Sequence, residues 1–198
     1  MTRSTALCVG FALLSCPAAA QSRIGISAGA NTTSALLHDS IVEPFSVNTN
    51  PAPTLGFWLE TRLDPRYALS IGLTTSWSHL ARHEAGATVD VVPLSTWTPA
   101  VRLQRGVFRS IAAYAKVGAV IYRADRTRAN LFREGAPPTP VFGLGLRADR
   151  PIASGLRLVL DIGYDAHRFG TPAMHSEGYR GEQLVHRVGL SVGVSRGL

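Results

Sequence analysis

The chain has 198 residues, 17% of them charged, and a formal net charge of +7 from 20 Lys and Arg against 13 Asp and Glu. The excess is almost all arginine, spread from Arg23 to Arg196, with Lys116 the only lysine. No helix-turn-helix pattern, zinc-ligand spacing or RNA-binding signature accompanies it, so a nucleic-acid partner is excluded and an anionic lipid surface is the better match.

Residues 1–20 read as a secretory signal peptide. Arg3 supplies the positive start, Ala6 to Leu14 a short apolar core, and Ala18-Ala19-Ala20 a small-residue cleavage site before Gln21. The apolar run is short for a membrane-spanning helix. Leu13-Leu14-Ser15-Cys16 also fits a lipobox, in which Cys16 would be acylated, whereas Pro17 and the alanine run favour ordinary cleavage. Both cysteines, Cys8 and Cys16, lie in this segment. The remaining 21–198 is long enough for one domain and must fold without a disulfide, a thiol nucleophile or a thiolate metal site.

From there the pattern is period two throughout. Ile24, Ile26 and Ala28 alternate with Gly25, Ser27 and Gly29; Leu55, Phe57, Leu59 and Leu63 with Gly56, Trp58, Glu60 and Arg62. A third strand is expected over Tyr67 to Ser78, with Leu69, Ile71, Leu73 and Trp77 on its apolar side. A fourth spans Thr88 to Leu103, where Pro93 and Pro99 remove ladder donors and predict an edge or a bulge. A fifth, Phe108 to Tyr122, is apolar on both faces. Phe142, Leu144 and Leu146 then oppose Gly143, Gly145 and Arg147, and Leu156 to Tyr164 alternates with Arg157, Val159, Asp161 and Gly163. The last strand sets Leu184, Val188, Leu190, Val192, Val194 and Leu198 against Val185, Arg187, Gly189, Ser191, Gly193, Ser195 and Gly197, with His186 and Arg196 as exceptions on the apolar side.

Eight strands joined alternately by long and short connections make an all-β, antiparallel up-and-down barrel. The long connections are Asn31 to Pro53, Arg123 to Pro140 and Ala166 to Gly181, with a polar one near His79 to Ala87. The short ones are Asp64-Pro65-Arg66, Gln104-Arg105-Gly106 and Asp149 to Gly155. An even strand count puts the long loops at one end and both chain termini at the other, the anatomy of a transmembrane barrel. Closure also removes exposed sheet edges.

Alternation alone leaves open which face is outside. A soluble exported barrel around a small apolar ligand is the alternative. The polar face is rich in Gly, Ser and mixed charges, namely Glu60, Arg62, Arg147, Asp161 and Arg187. Such residues suit a narrow lumen in which small side chains fit and charges pair, so the apolar face is expected to meet lipid. Asp161, Arg147 and Arg187 are expected to form a luminal ion-pair network. Tyr67, Trp77, Trp97, Tyr114, Tyr122 and Tyr164 are candidates for interfacial girdles.

Val92-Pro93-Leu94, Phe142-Gly143-Leu144-Gly145-Leu146, Leu160-Asp161-Ile162-Gly163-Tyr164 and Val188-Gly189-Leu190-Ser191-Val192-Gly193-Val194 together resemble small bacterial outer-membrane β-barrel proteins, the family of the OmpA transmembrane domain and OmpX-like barrels. The resemblance covers about residues 22 to 198. It departs at the C-terminus, where Leu198 stands in place of the usual aromatic residue, and no peptidoglycan-binding domain is expected. It implies an eight-stranded transmembrane barrel in the outer membrane of a Gram-negative cell envelope, with a non-enzymatic structural or surface-interaction role. Outer-membrane lipid, lipopolysaccharide and, during biogenesis, the barrel-assembly machinery are the implied partners, and a monomer the implied state. A wide porin-like channel is not expected, because an eight-stranded lumen is filled by side chains. A narrow pore and a lipid A-modifying enzyme are the alternatives.

The residues that would carry such chemistry are His167, His175, His186, Asp161, Asp165 and Glu177. Asp165-Ala166-His167-Arg168-Phe169-Gly170 lacks the close His-x-Ser arrangement of lipid A deacylases, and Ser176 merely follows His175. His79 and His83 are four apart at a strand end, a ligand spacing only on a helix. No catalytic, cofactor or metal site is therefore expected. Arg123, Arg126, Arg128 and Arg133, interrupted by Asp125 and Glu134, suit lipopolysaccharide phosphates if their connection faces outward.

Overall fold

The computed structural model describes residues 22–34, 37–39, 45–49, 51–84, 87–124, 132, 134–176 and 183–198, with backbone alone for 37–39, 45–49 and 80–91. Ten strands run as β1 (Ser22–Thr33), β2 (Leu37–Asp39), β3 (Phe45–Thr49), β4 (Ala52–Arg62), β5 (Tyr67–Glu84), β6 (Ala87–Phe108), β7 (Ile111–Ala124), β8 (Thr139–Ala153), β9 (Leu156–Phe169) and β10 (Gln183–Gly197). A single-turn helix α1 (Pro172–Ser176) lies between β9 and β10.

Eight of these strands close a barrel in the order β1, β4, β5, β6, β7, β8, β9, β10, every neighbour antiparallel. The first and last strands meet from Arg23↔Gly197 to Thr33↔Arg187, which leaves the sheet without a free barrel edge. β2 and β3 form a hairpin within the first long connection, and β3 pairs with the upper part of β5.

The expected Asp64-Pro65-Arg66 turn is present. Its first residue makes it: Asp64 Oδ1 accepts hydrogen bonds from the backbone N–H of Arg66 and of Tyr67, at 2.6 and 2.7 Å. Other connections are shorter than the sequence suggested. Strand pairing continues through His79 to Glu84 and resumes at Ala87, so the presumed polar connection is mostly ladder. β6 likewise runs past Gln104-Arg105-Gly106 to Phe108. The Asp149–Gly155 connection contracts to a tight turn at Ser154-Gly155, where Gly155 takes φ +75°, a conformation that favours glycine. In each case ladder hydrogen bonds satisfy backbone groups that local polarity alone would have left to water.

Pro93 and Pro99 lie inside β6 and not at an edge. Both are exposed on the outer face, opposite His79 and Leu73 of β5. On the other side the β6–β7 ladder skips the rungs at Thr98 and Pro99 and resumes in the same register at Ala100↔Gly118. The barrel absorbs the missing donor as a local gap.

The faces fall as the membrane reading requires. Leu55, Phe57, Ile71, Leu144, Ile162, Leu190 and Val192 are about half exposed, while Arg147 is 4% exposed and Glu60 and Arg187 8%. The interior is polar and the exterior greasy. On β7 the outward positions Ile111 to Ile121 span ten residues, about 25 Å of height once tilted, which matches a bilayer's hydrocarbon core.

Candidate functional site

The interior is organised by one path through the ladder. Arg23 opposes Glu60, which opposes Ser70; the path continues through Arg102, Lys116, Gly143, Asp165 and Arg187, and returns to β1 at Thr33. One circuit of eight strands thus climbs ten residues along β1, which sets a strand tilt of about 40°. Nearly every side chain on this spiral points inward and is charged or polar. Closing the barrel at this offset therefore gathers charges that are far apart in sequence.

These charges pair in two tiers. In the upper one Asp165 receives Lys116 Nζ at 2.5 Å and Arg187 Nε at 2.9 Å, and Arg187 also donates to Thr98 Oγ1 at 3.3 Å. Below it Asp161 accepts from Arg102 at 2.8 Å and from the Tyr114 hydroxyl at 2.8 Å. Glu60 accepts from Gln104 at 3.0 Å and pairs with Arg147 at 3.3 Å. Asp149 joins Arg23 at 2.9 Å to Arg157 at 2.5 Å. The expected network exists, but with other partners. Asp161, Arg147 and Arg187 do not pair with one another; Arg187 takes its cross-strand neighbour Asp165, and Asp161 and Arg147 take residues that the shear brings alongside.

Two aromatic side chains fill the remaining width. Trp58 reaches over Gly25 and Gly72, its rung neighbours on either side, and the Arg147 guanidinium lies 4.7 Å from its ring centroid. Tyr114 occupies the space above Gly145 and Gly163, where an added Cβ would collide with its ring or hydroxyl. Arg102 sits 4.8 Å from the Tyr114 centroid. A cavity of about 90 Å³ is left among Trp58, Arg102, Lys116, Asp161 and Arg187.

Toward the loop end the lumen becomes apolar. Val92 and Leu94 of β6, Val120 and Tyr122 of β7, Val141 of β8, Phe169 of β9 and Val185 of β10 form one buried cluster. Phe132 from the long connection and Met174 of α1 complete it. The Tyr122 and Phe169 rings meet edge-on at 5.0 Å, and Phe132 lies 5.7 Å from Phe169. The α1 turn is held by Thr171, whose hydroxyl oxygen accepts from Met174 N–H at 3.2 Å. His167 marks the boundary between polar and apolar zones, its Nε2 sharing a 2.5 Å hydrogen bond with the Tyr122 hydroxyl.

The interior corrects one expectation and explains another. Tyr114 and Tyr122 are luminal and buried, not members of a girdle. The apolar character of β7 on both faces reflects lipid-type exposure outside and the plug inside. Trp77 and Trp97 do lie on the outer face near the loop end, and Arg123 stands 5.3 Å over the Trp97 ring. Tyr164 is also outward, stacked on His186 and hydrogen-bonded to its Nδ1. Tyr67 sits at the turn end beneath Arg105.

The residues considered for chemistry are dispersed. Asp161 and Asp165 are held in ion pairs, His167 bonds Tyr122 inside the barrel, and His186 is on the outer surface. His175 lies on α1. Glu177, Asp125, Arg126, Arg128, Arg133, Cys8, Cys16 and the side chain of His83 lie outside the described residues. Among the described residues no group of three or more His, Cys, Asp or Glu is placed to hold a metal ion.

No family model matches the chain, and no curated protein matches its sequence. Solved structures do match in shape. OprG, an outer membrane protein of Pseudomonas aeruginosa, superimposes with a TM-score of 0.57 at 10% identity, over 90% of this chain and 96% of that one. Neisserial surface protein A gives 0.52 at 13% identity, over 89% and 97%. The attachment invasion locus protein Ail of Yersinia pestis, crystallised with the heparin analogue sucrose octasulfate, gives 0.50 at 9% identity, over 90% and 99%. The shared property is the fold. It is that of a small outer-membrane β-barrel.

Proposed function

We propose that this chain is exported, loses residues 1–20, and spans the bacterial outer membrane as a monomeric barrel with a non-enzymatic structural or surface-interaction role. The observation that carries the reading is the combination of a greasy exterior with a lumen pinned by ion pairs and sealed by the apolar plug. A barrel whose interior is occupied in this way works through its ends and not as a conduit. Its turn end then faces the periplasm and its loop end the exterior.

At the loop end the ligand class favoured is the phosphate of lipopolysaccharide. Arg123 lies on the outer face beside Trp97 near the loop end, and Arg126, Arg128 and Arg133 follow it in sequence. The barrel-assembly machinery is the partner for insertion in the cell. Fractionation of expressing cells tests the reading, with boiled and unboiled samples compared on SDS gels. Outer-membrane recovery with a heat-dependent mobility shift is expected. Recovery as a soluble periplasmic protein would overturn the membrane-spanning reading.

A further inference from the structure

The outer face carries a repeated motif at the turn end. On β6 the outward residues descend Leu103, Arg105, Val107; on β8 Ala148, Arg150, Ile152; on β10 Val194, Arg196, and beyond the strand Leu198. Each arginine is thus bracketed by apolar residues on the same face, and Val107, Ile152 and Leu198 are more than half exposed. β4 has Thr61 at the matching place between Leu59 and Leu63. The three arginines lie two strands apart and at one height to within about 4 Å, given strand rise and tilt.

None of the three has a carboxylate partner among the described residues. The acids at this end are committed elsewhere. Glu60 and Asp149 hold luminal arginines, and Asp64 Oδ1 caps its own turn. Arg66 and Arg109 in the adjoining turns add further charge and line a cavity of about 160 Å³ at the lumen mouth. Counting Arg23, Arg62 and Arg157, this end bears eight arginines against three side-chain carboxylates, so most of the chain's formal side-chain charge of +7 sits here.

We propose that Arg105, Arg150 and Arg196 form a collar that binds the phosphates of anionic glycerophospholipids in the inner leaflet. The proposal rests on the membrane-spanning reading above. Apolar neighbours on both sides require the collar to lie at the hydrocarbon boundary, where water is scarce. A guanidinium there needs an anion, and lipid phosphates occupy that depth. The flanking Val107, Ile152 and Leu198 then rest among headgroups and glycerol, and the collar fixes how deep the barrel sits.

The test reconstitutes the full exported chain in phosphatidylcholine vesicles with and without phosphatidylglycerol, alongside Arg105→Gln/Arg150→Gln/Arg196→Gln and, as control, Arg62→Gln at the lumen mouth. Insertion is read by the heat-dependent gel shift and lipid retention by native mass spectrometry. The wild-type chain should insert in both bilayers and retain phosphatidylglycerol selectively. Retention should fall about fivefold for each collar arginine removed, and Arg62→Gln should retain it normally. Equal retention by the triple variant would overturn the proposal with the spanning reading intact. So would inorganic phosphate that displaces the lipid, since the site would then be one for free anions. Failure of the wild-type chain to insert in either bilayer would overturn both.

Discussion

Arg187 and Asp165 are direct cross-strand partners on β10 and β9, and their side chains join at 2.9 Å with Lys116 closing the other side of the carboxylate. One acid thus balances two cations in a space that is almost closed to solvent. Asp165→Asn keeps the shape and removes the charge, which leaves two buried cations without a counter-ion. That should cost about 3–5 kcal/mol, read as a lower urea midpoint in lipid vesicles. A variant as stable as the wild-type chain would show that the triad contributes no net stability.

The fit of Tyr114 over Gly163 predicts a specific coupling. A Cβ at Gly163 would meet the Tyr114 hydroxyl, its other near neighbours lying at 3.6 Å or beyond. Gly163→Ala should therefore destabilise the wild-type barrel but cost much less in a Tyr114→Phe background, where the hydroxyl is gone. The double-mutant cycle should give a coupling of about 0.5–3 kcal/mol. Additive costs would mean that Tyr114 has room to move aside.

Phe169 is 1% exposed, with Tyr122 and Phe132 against it. Phe169→Ala should cost about 3–5 kcal/mol and loosen the seal at the loop end. Hydrogen exchange should then rise at the loop ends of β7 and β9 while the ion-paired middle stays protected. Uniform exchange along both strands would argue that plug and ion network are one cooperative unit.

Much of this architecture was legible in the chain itself, because period-two alternation survives wherever one face is greasy and the other small or charged. β10 shows it from Leu184 to Leu198 with two exceptions on its apolar side, and both have physical roles: His186 is capped by Tyr164, and Arg196 belongs to the turn-end collar. What could not be read was the offset between strands. Nothing local to Asp161 says that Arg102, 59 positions away, is its partner in preference to Arg147; that follows only from a ten-residue climb per circuit. The plug was missed because its signal is a failure of alternation. Val120 and Tyr122 put apolar residues on the luminal face of β7, and Val141, Phe169 and Val185 do so at the matching ends of β8, β9 and β10. Five such lapses, all at strand ends facing long connections, were the clue.

The central claim is that lipid covers the apolar face while the polar face encloses an ion-paired lumen. Adjacent residues of β10 test it directly, since Leu190 is 53% exposed outside and Ser191 lines the luminal cavity. Single cysteines at each position, in a chain with Cys8 and Cys16 changed to serine, can carry the same environment-sensitive fluorophore in vesicles that contain brominated lipid. Strong quenching at Leu190 and little at Ser191 is the predicted result. The reverse pattern, with Ser191 quenched and Leu190 shielded, would contradict the account.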